Sequence, residues 1–135
     1  MAELQYLEET PRPEEFLAMR ERAGMGARSL EAAQAGLPHT LYAVCVRDGE
    51  RLVAMGRIVG DGGLNYEIVD MAVDPDYQRQ GIGYRIMEML VGYLRATAVP
   101  SAYVSLIADD HAPALYAKFG FEPTAPASIG MSLTI

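Results

Sequence analysis

Apolar residues alternate with polar ones, or form short continuous runs, at six places along the chain. Runs of this length, bounded by turn residues, are typical of β-strands. The six predicted strands cover residues 4–7, 41–47, 51–59, 64–73, 102–108 and Met131–Ile135. Asp48-Gly49-Glu50 lies between the second and third runs and predicts a β-hairpin, because Asp-Gly is a preferred two-residue turn. Asp61-Gly62-Gly63 predicts a second turn.

Helical spacing occupies the segments between these runs. From Gly81 to about Arg95 the apolar residues recur along one face of a helix. Shorter helices are predicted for residues 11–24, 29–35 and 111–118, the second with Ser29 as its N-cap. The resulting order, β-α-α-β-β-β-α-β-α-β, indicates an α/β sandwich. In it, helices cover both faces of a mixed, mainly antiparallel sheet.

Length and cysteine content restrict the class of protein. At 135 residues the chain fits one domain, residues 1–135. It lacks both an 18-residue apolar run and the positive start of a signal peptide, so we expect a soluble cytoplasmic protein that does not enter a membrane. The single cysteine, Cys45, cannot form an internal disulfide or a multi-thiolate site, and we expect no metal. Within its apolar run, Cys45 is expected to be a small buried residue.

The balance of charge restricts the partners. There are 18 acidic and 11 basic residues, and the net charge is −7 at pH 7. A nucleic-acid-binding protein needs a basic surface, so we expect no nucleic-acid partner. The negative field instead favours a cationic amine as substrate.

The segment from Val73 to Gly83 joins the fourth predicted strand to the long helix. Gly81 and Gly83 stand where the helix begins, although glycine lowers helix propensity there. Without side chains they let a ligand approach the backbone, and the first turn of a helix attracts phosphate. Arg79 adds a positive charge. Because the spacing is neither GxGxxG nor a lysine-bearing P-loop, it predicts a pyrophosphate site of another kind. The alternative is a turn whose glycines serve packing alone.

Two motifs in this region resemble the GNAT superfamily of acetyl-CoA-dependent N-acetyltransferases. Gln78-Arg79-Gln80-Gly81-Ile82-Gly83, preceded by Ala72-Val73-Asp74-Pro75, is similar to the family signature Q/R-x-x-G-x-G/A after a strand. Residues 114–123 are similar to the family ending L-Y-x-K-x-G-F. The motifs cover about residues 64–123, and the predicted element order extends the resemblance to most of the chain. The resemblance implies the GNAT fold.

The resemblance also implies how acetyl-CoA is held. Backbone N–H groups of residues 78–83 would bind its pyrophosphate, and the backbone of Met71-Ala72-Val73 would pair with its pantetheine arm like an added strand. In the family, the strand before the signature splays from its neighbour to admit that arm. Where many members have an asparagine seven residues before the tyrosine, this chain has Asp109. A carboxylate near a polyanionic cofactor is unfavourable, so we expect Asp109 to point away.

The implied reaction is direct attack of an amine on the thioester within a ternary complex. A thiol with a pKa of ~8.5 leaves readily. Tyr116 occupies the place where the family's tyrosine donates a proton to the CoA sulfur; its alternative role is a core aromatic. An amine with a pKa near ~10 must first lose a proton.

Two carboxylates, Glu67 and Asp70, interrupt the fourth strand and are candidate bases. Alternation places them on opposite faces unless a bulge, which is a feature of the family, re-aims one of them. Glu67 shares an E-I-V-x-x-A-I/V frame with the basic glutamate of the histone-acetylating branch, so it is the first choice and Asp70 the reserve. Alternatively either carboxylate pairs with Arg57, and His39 or a water relay is the base.

The predicted function is transfer of an acetyl group from acetyl-CoA to a primary amine of a small molecule or peptide. The alternative is a non-catalytic acyl-CoA-binding or sensing domain on the same fold. Residues of the first two helices and the 24–40 loop are expected to line the acceptor pocket or to belong to the core: Phe16, Met19, Met25, Leu37 and His39. The apolar strand Met131–Ile135 would present an edge to a second copy, which predicts a homodimer.

Overall fold

In the computed structural model, which describes residues 3–109 and 112–135, strands and helices follow the predicted order as far as the last helix. The boundaries agree with the sequence pattern to within a few residues. The elements are β1 (Leu4–Leu7), α1 (Pro13–Arg22), α2 (Leu30–Gly36), β2 (Tyr42–Asp48), β3 (Arg51–Gly60), β4 (Asn65–Val73), α3 (Ile82–Thr97), β5 (Tyr103–Ser105) and α4 (Pro113–Ala117), with short 3-10 turns at Leu37–His39 and Pro75–Tyr77.

The strands form one sheet in the order β1-β2-β3-β4-β5. The pairs from β1 to β4 are antiparallel, whereas β5 lies parallel to β4. The predicted mixed, mainly antiparallel sheet is therefore confirmed. The hairpin predicted at Asp48-Gly49-Glu50 joins β2 to β3. Asp48 pairs with Arg51, so the two turn residues are Gly49 and Glu50, and Gly49 has φ 64°, a left-handed conformation that glycine adopts without strain.

Helices cover both faces of this sheet because its central strands carry apolar residues on both sides. In β2, Val44 and Val46 pack toward α3, while Cys45 between them packs toward α1. The α3 side contributes Ile82, Ile86, Met87, Leu90 and Leu94, and the α1 side contributes Phe16 and Met19. Cys45 is fully buried, and burial raises the pKa of its thiol to about 12. It is the small buried residue that the sequence predicts.

The C-terminal part departs from the predicted pattern. The expected strand Met131–Ile135 is wrong: this segment forms no strand in the described chain, and its apolar side chains are exposed. A strand needs a hydrogen-bonding neighbour, and no described segment of the same chain pairs with it. β5 ends at Ser105 rather than at residue 108, because the chain leaves the side of β4 there. The predicted start of the last helix, His111, lies outside the described residues.

The longest helix, α3, has 16 residues. Across the described ranges, no helix combines the length and apolar character that crossing a bilayer requires.

Candidate active site

A cleft opens where β4 and β5 separate. Parallel pairing runs from Asn65 with Tyr103 to Glu67 with Ser105 and stops there, although β4 continues to Val73. The splay that the family resemblance implies is present at this point. The cleft has a volume of about 470 Å³. Its walls come from the 20–28 region, the middle of β4, the chain after β5 and α4: Arg20, Ala23, Gly24, Met25, Gly26, Arg28, Glu67, Ile68, Val69, Asp70, Met71, Leu106, Ile107, Asp109 and Tyr116.

A β-bulge in β4 changes which side chains face this cleft. Val69 pairs with Arg57 and Ala72 pairs with Met55, so Asp70 and Met71 together oppose the single residue Gly56. Asp70 adopts φ 58°, a left-handed conformation that is uncommon for a residue with a side chain. The extra residue reverses the alternation, and Asp70 lies on the α1 face together with Glu67. Strict alternation would have separated the two carboxylates.

The position opposite the bulge has no room for a side chain unless its neighbours move. A Cβ atom added to Gly56 would lie 2.6 Å from Met71 Sδ and 2.8 Å from Ile86 Cγ2. Because α3 packs directly over the bulge, any side chain at residue 56 would push the helix and β4 apart.

Asp70 is held by two arginines from different elements. Arg20 Nη1 donates to its Oδ1 at 2.7 Å, and Arg57 Nε donates to its Oδ2 at 2.9 Å. The side chains of Arg20 and Asp70 are 7% and 8% exposed. Both guanidinium groups also stack over the ring of Phe16, at 5.9 and 5.6 Å. Arg20 further donates to the carbonyl of Gly26 through Nε and Nη2. This network ties α1, the loop after it, β3 and the bulge together.

Glu67 stands in a different environment from Asp70. It lies at the last paired position of β4 and β5, opposite Ser105, and lines the cleft in a half-buried position. Within residues 3–109 and 112–135, no basic side chain forms an ion pair with it. The pairing with Arg57 that the sequence left open for both carboxylates is made by Asp70.

Tyr116 closes the cleft from α4. Its ring is buried against Phe121, with centroids 6.5 Å apart in an edge-to-face arrangement. Burial, with a smaller contribution from the charge of Asp109, raises the pKa of the phenol above its usual value. A tyrosine is protonated at neutral pH even at its ordinary pKa of ~10, so the hydroxyl can act as a proton donor. Asp109, expected to point away, lines the same cleft with an exposed side chain.

The glycine loop lies at the start of α3. Gly81 is the N-cap at φ 79°, and a Cβ added there would meet no atom within 4 Å, so open space faces this residue. The first intrahelical bond runs from the Arg85 N–H to the Gly81 carbonyl, which leaves the N–H groups before Arg85 without an intrahelical acceptor. Arg79 also has a positive φ, 64°, and its side chain is exposed. Gln78 turns back, and its Nε2 donates to the Val73 carbonyl at 3.3 Å.

The fold agrees with comparison to known proteins. A family model described as the Acetyltransferase (GNAT) family matches residues 3–121. The chain belongs to this family. A Staphylococcus aureus protein of unknown function, whose crystal structure is described as that of a probable acetyltransferase, superposes on this GNAT chain with a TM-score of 0.94. Its sequence is 45% identical, and the match covers 98% of this chain and 100% of that one.

Curated relatives of this GNAT chain include plant N-acetyltransferases. GCN5-related N-acetyltransferase 2, chloroplastic, from Arabidopsis thaliana is 36% identical over 89 residues, which are 62% of this chain and 34% of that protein. Serotonin N-acetyltransferase 2, chloroplastic, from Oryza sativa subsp. japonica is 32% identical over 116 residues, or 82% of this chain and 56% of that protein. The chain thus spans about a third to a little over half of these relatives' length.

In this GNAT chain the residues expected to line the acceptor pocket separate into two groups. Met25 lines the cleft, whereas Phe16, Met19 and Leu37 belong to the core on the α1 face. His39 is exposed and is not part of the cleft wall. Sequence reasoning missed Arg20. Its position four residues after Phe16 on the buried face of α1 indicated a buried arginine, but not which residue would pair with it.

Proposed function

We propose that this GNAT chain, as one domain of residues 1–135, transfers an acetyl group from acetyl-CoA to a primary amine. The amine attacks the thioester directly in a ternary complex. The observation that carries the proposal is the cleft between β4 and β5, whose wall contains both Glu67 and Tyr116. The glycine loop is near α4, the helix of Tyr116, since a Cβ at Gly83 would lie 3.7 Å from Leu115. Membership of an acetyltransferase family and N-acetyltransferase relatives support the same reaction.

The residues present fit acetyl-CoA at two places. Past Glu67, the outer edge of β4 has no strand partner within the described residues, so the backbone of Met71-Ala72-Val73 is available to the pantetheine amides. At the start of α3, residues 78–83 supply N–H groups, the positive end of the helix dipole and the Arg79 guanidinium for the pyrophosphate. Open space at Gly81 permits close approach of the phosphates.

Glu67 is the proposed base. An ammonium group must lose a proton before its nitrogen can attack, and a carboxylate at the cleft wall can accept that proton directly or through one water. Glu67 lies in the cleft without an ion pair to a described basic side chain, whereas both oxygens of Asp70 are engaged by arginines. We therefore assign proton removal to Glu67, and to Asp70 the role of holding the bulge.

Tyr116 is the proposed acid. As the carbon–sulfur bond breaks, negative charge develops on sulfur, and a phenol in the cleft wall can donate a hydrogen bond or a proton to it. The phenol carries that proton at neutral pH, because the ordinary pKa of a tyrosine, ~10, already lies far above 7.

The proposed acceptor is a primary amine of a small molecule or peptide, cationic before it reacts. The net charge of −7 attracts cations, and the carboxylates of Glu67 and Asp109 stand in the cleft wall. The name of the rice relative, a serotonin N-acetyltransferase, supports a small amine. We place the reaction in the cytoplasm.

Release of free thiol from acetyl-CoA tests the proposal. The amines tested as acceptors are polyamines, arylalkyl amines, aminoglycosides, amino acids and peptide N-termini. In a separate experiment, calorimetric titration measures the binding of acetyl-CoA. Amine-dependent thiol release is expected for at least one class. Saturable binding of acetyl-CoA without release by any amine would favour the non-catalytic acyl-CoA-binding alternative, and absence of binding would overturn the site itself.

A further inference from the structure

The segment from Ile129 to Ile135, here called the arm, has an alternating pattern and lies outside the wall of the active-site cleft. Ile129, Met131, Leu133 and Ile135 are apolar, and the residues between them are Gly130, Ser132 and Thr134. In an extended chain this period of two places all four apolar side chains on one face. The arm therefore has the sequence of a strand that is buried on one side.

In the structure that apolar face touches almost nothing. Relative exposure is 71% at Ile129, 86% at Met131 and Leu133, and 110% at Ile135. The arm follows a turn over residues 124–128, in which the Ser128 N–H donates to the Thr124 carbonyl at 3.1 Å. After this turn the four apolar side chains of the arm are exposed, so they do not pack on their own fold. Four large apolar side chains exposed in a row are unusual for a monomer and indicate an interaction surface.

A complementary surface exists on the same molecule. One side of β5 pairs with β4, and no described strand pairs with its other side. Along this free edge runs a groove of about 630 Å³. Its floor is largely apolar and comes from the second half of α3, β5 and the chain after α4: Val91, Leu94, Ala98, Tyr103, Leu106 and Phe121. Apart from Tyr103, these residues belong to the core on the α3 face of the sheet or pack against it, so the apolar floor of the groove is continuous with that core.

We propose that the arm of one copy adds to the free edge of β5 in a second copy, and that the exchange is reciprocal. Backbone groups of the arm would pair with β5, and Ile129, Met131, Leu133 and Ile135 would fill the groove against α3. The occupant of the groove is thus a second copy of this chain. Each copy carries one arm and one groove, so two copies satisfy both surfaces in a closed two-fold dimer.

Two features of the structure favour a second copy over the arm's own fold. None of residues 129–135 lines the groove of its own molecule, although the lip of that groove, residues 119–124, immediately precedes the turn over residues 124–128. The apolar side chains of the arm also remain exposed rather than packed on their own surface, as is expected of a segment that is exchanged between copies. The proposal does not depend on the acetyl-transfer activity.

Sedimentation at micromolar concentration provides the first test. The unmodified protein is expected to sediment at twice 14.7 kDa. Deletion of residues 129–135, and separately Leu133→Asp, should yield folded monomers by circular dichroism. Leu30→Asp is the matched control: Leu30 is an exposed leucine at the start of α2, remote from the groove, and its replacement should leave the dimer intact. A monomeric unmodified protein, or a dimer that survives both arm variants, overturns the proposal.

Cross-linking distinguishes exchange between copies from closure within one copy. An affinity-tagged chain that carries Ser105→Cys is mixed with untagged chains, each of which carries one cysteine between Met131 and Thr134. The mixture is unfolded, refolded and then oxidised. The native Cys45 is fully buried and should not interfere. Disulfides joining tagged to untagged chains are expected. A second variant carries both Ser105→Cys and the arm cysteine that cross-linked in the first experiment. The exchange is wrong if this variant forms only disulfides within one chain. It is also wrong if no arm cysteine forms a cross-link.

Discussion

Asp70 Oδ1 accepts a hydrogen bond from Arg20 Nη1 at 2.7 Å across 50 residues of sequence. This contact joins the bulge of β4 to α1, and Arg57 secures the other oxygen of the same carboxylate. The bulge is the feature that places Asp70 and Glu67 on one face of the sheet, beside the edge proposed to receive the pantetheine arm. The geometry of the cleft wall therefore depends on a buried ionic network formed by three elements.

Asp70→Asn should destabilise the fold more than a surface substitution does. It removes the charge that compensates two buried or half-buried guanidinium groups, and breaking such a pair costs about 3–5 kcal/mol. Chemical denaturation at neutral pH measures the change, with Glu21→Gln, an exposed substitution on α1, as the control. A loss below about 1 kcal/mol would show that the network contributes little.

Glu67→Gln should change the pH profile rather than stability. Without a base, only the neutral fraction of the amine reacts, so residual kcat/KM should rise with pH toward the amine's own pKa of ~10. Glu88→Gln, an exposed substitution on α3, serves as the control and should retain the normal profile. If the pH profile of Glu67→Gln is unchanged, Glu67 is not the base, and a water relay or His39 removes the proton.

The same pH profile tests Asp70 as the reserve base. Asp70→Asn is expected to lower activity in proportion to its loss of folded protein, without steepening the dependence on pH. A steeper profile for Asp70→Asn than for Glu67→Gln would reverse the two assignments.

Tyr116→Phe should lower kcat by about 10²-fold, the lower end of the range for general acids, because a thiolate leaves fairly well unaided. KM for acetyl-CoA should change little, since the interaction develops in the transition state. Steady-state kinetics distinguishes the two effects. Tyr93→Phe is the control, because Tyr93 stacks on Tyr42 outside the cleft. Full activity of Tyr116→Phe would reduce the role of Tyr116 to packing.

Acetyl-CoA should raise the melting temperature, whereas NAD and ATP should not. Linkage predicts about 2.7 kcal/mol of stabilisation at a hundredfold excess over Kd. Gly83→Val should abolish the response while the fold persists, since a Cβ at Gly83 makes only an ordinary contact of 3.7 Å with Leu115. Gly92→Val in the same helix, where a Cβ meets nothing within 4 Å, should respond fully. If acetyl-CoA raises the melting temperature of both variants equally, the loop is not the phosphate site.

Local signals were sufficient for most of the fold. The spacing of apolar residues predicted α3, the alternating runs predicted β1 to β5, and the Asp-Gly pair predicted the β2–β3 turn, because each depends on residues adjacent in sequence. The two motifs also identified the family, since the glycine loop and the segment around Tyr116 are each continuous in sequence.

Tertiary structure alone decided the arrangement of the carboxylates and the state of the arm. Alternation by itself separates Glu67 from Asp70, and only the register between β3 and β4 shows that Asp70 and Met71 oppose one residue. The partner of Asp70 on α1 lies 50 residues away, a distance over which sequence carries no local signal. Met131–Ile135 has the pattern of a strand but forms none, because a strand exists only where a neighbouring strand offers its backbone groups.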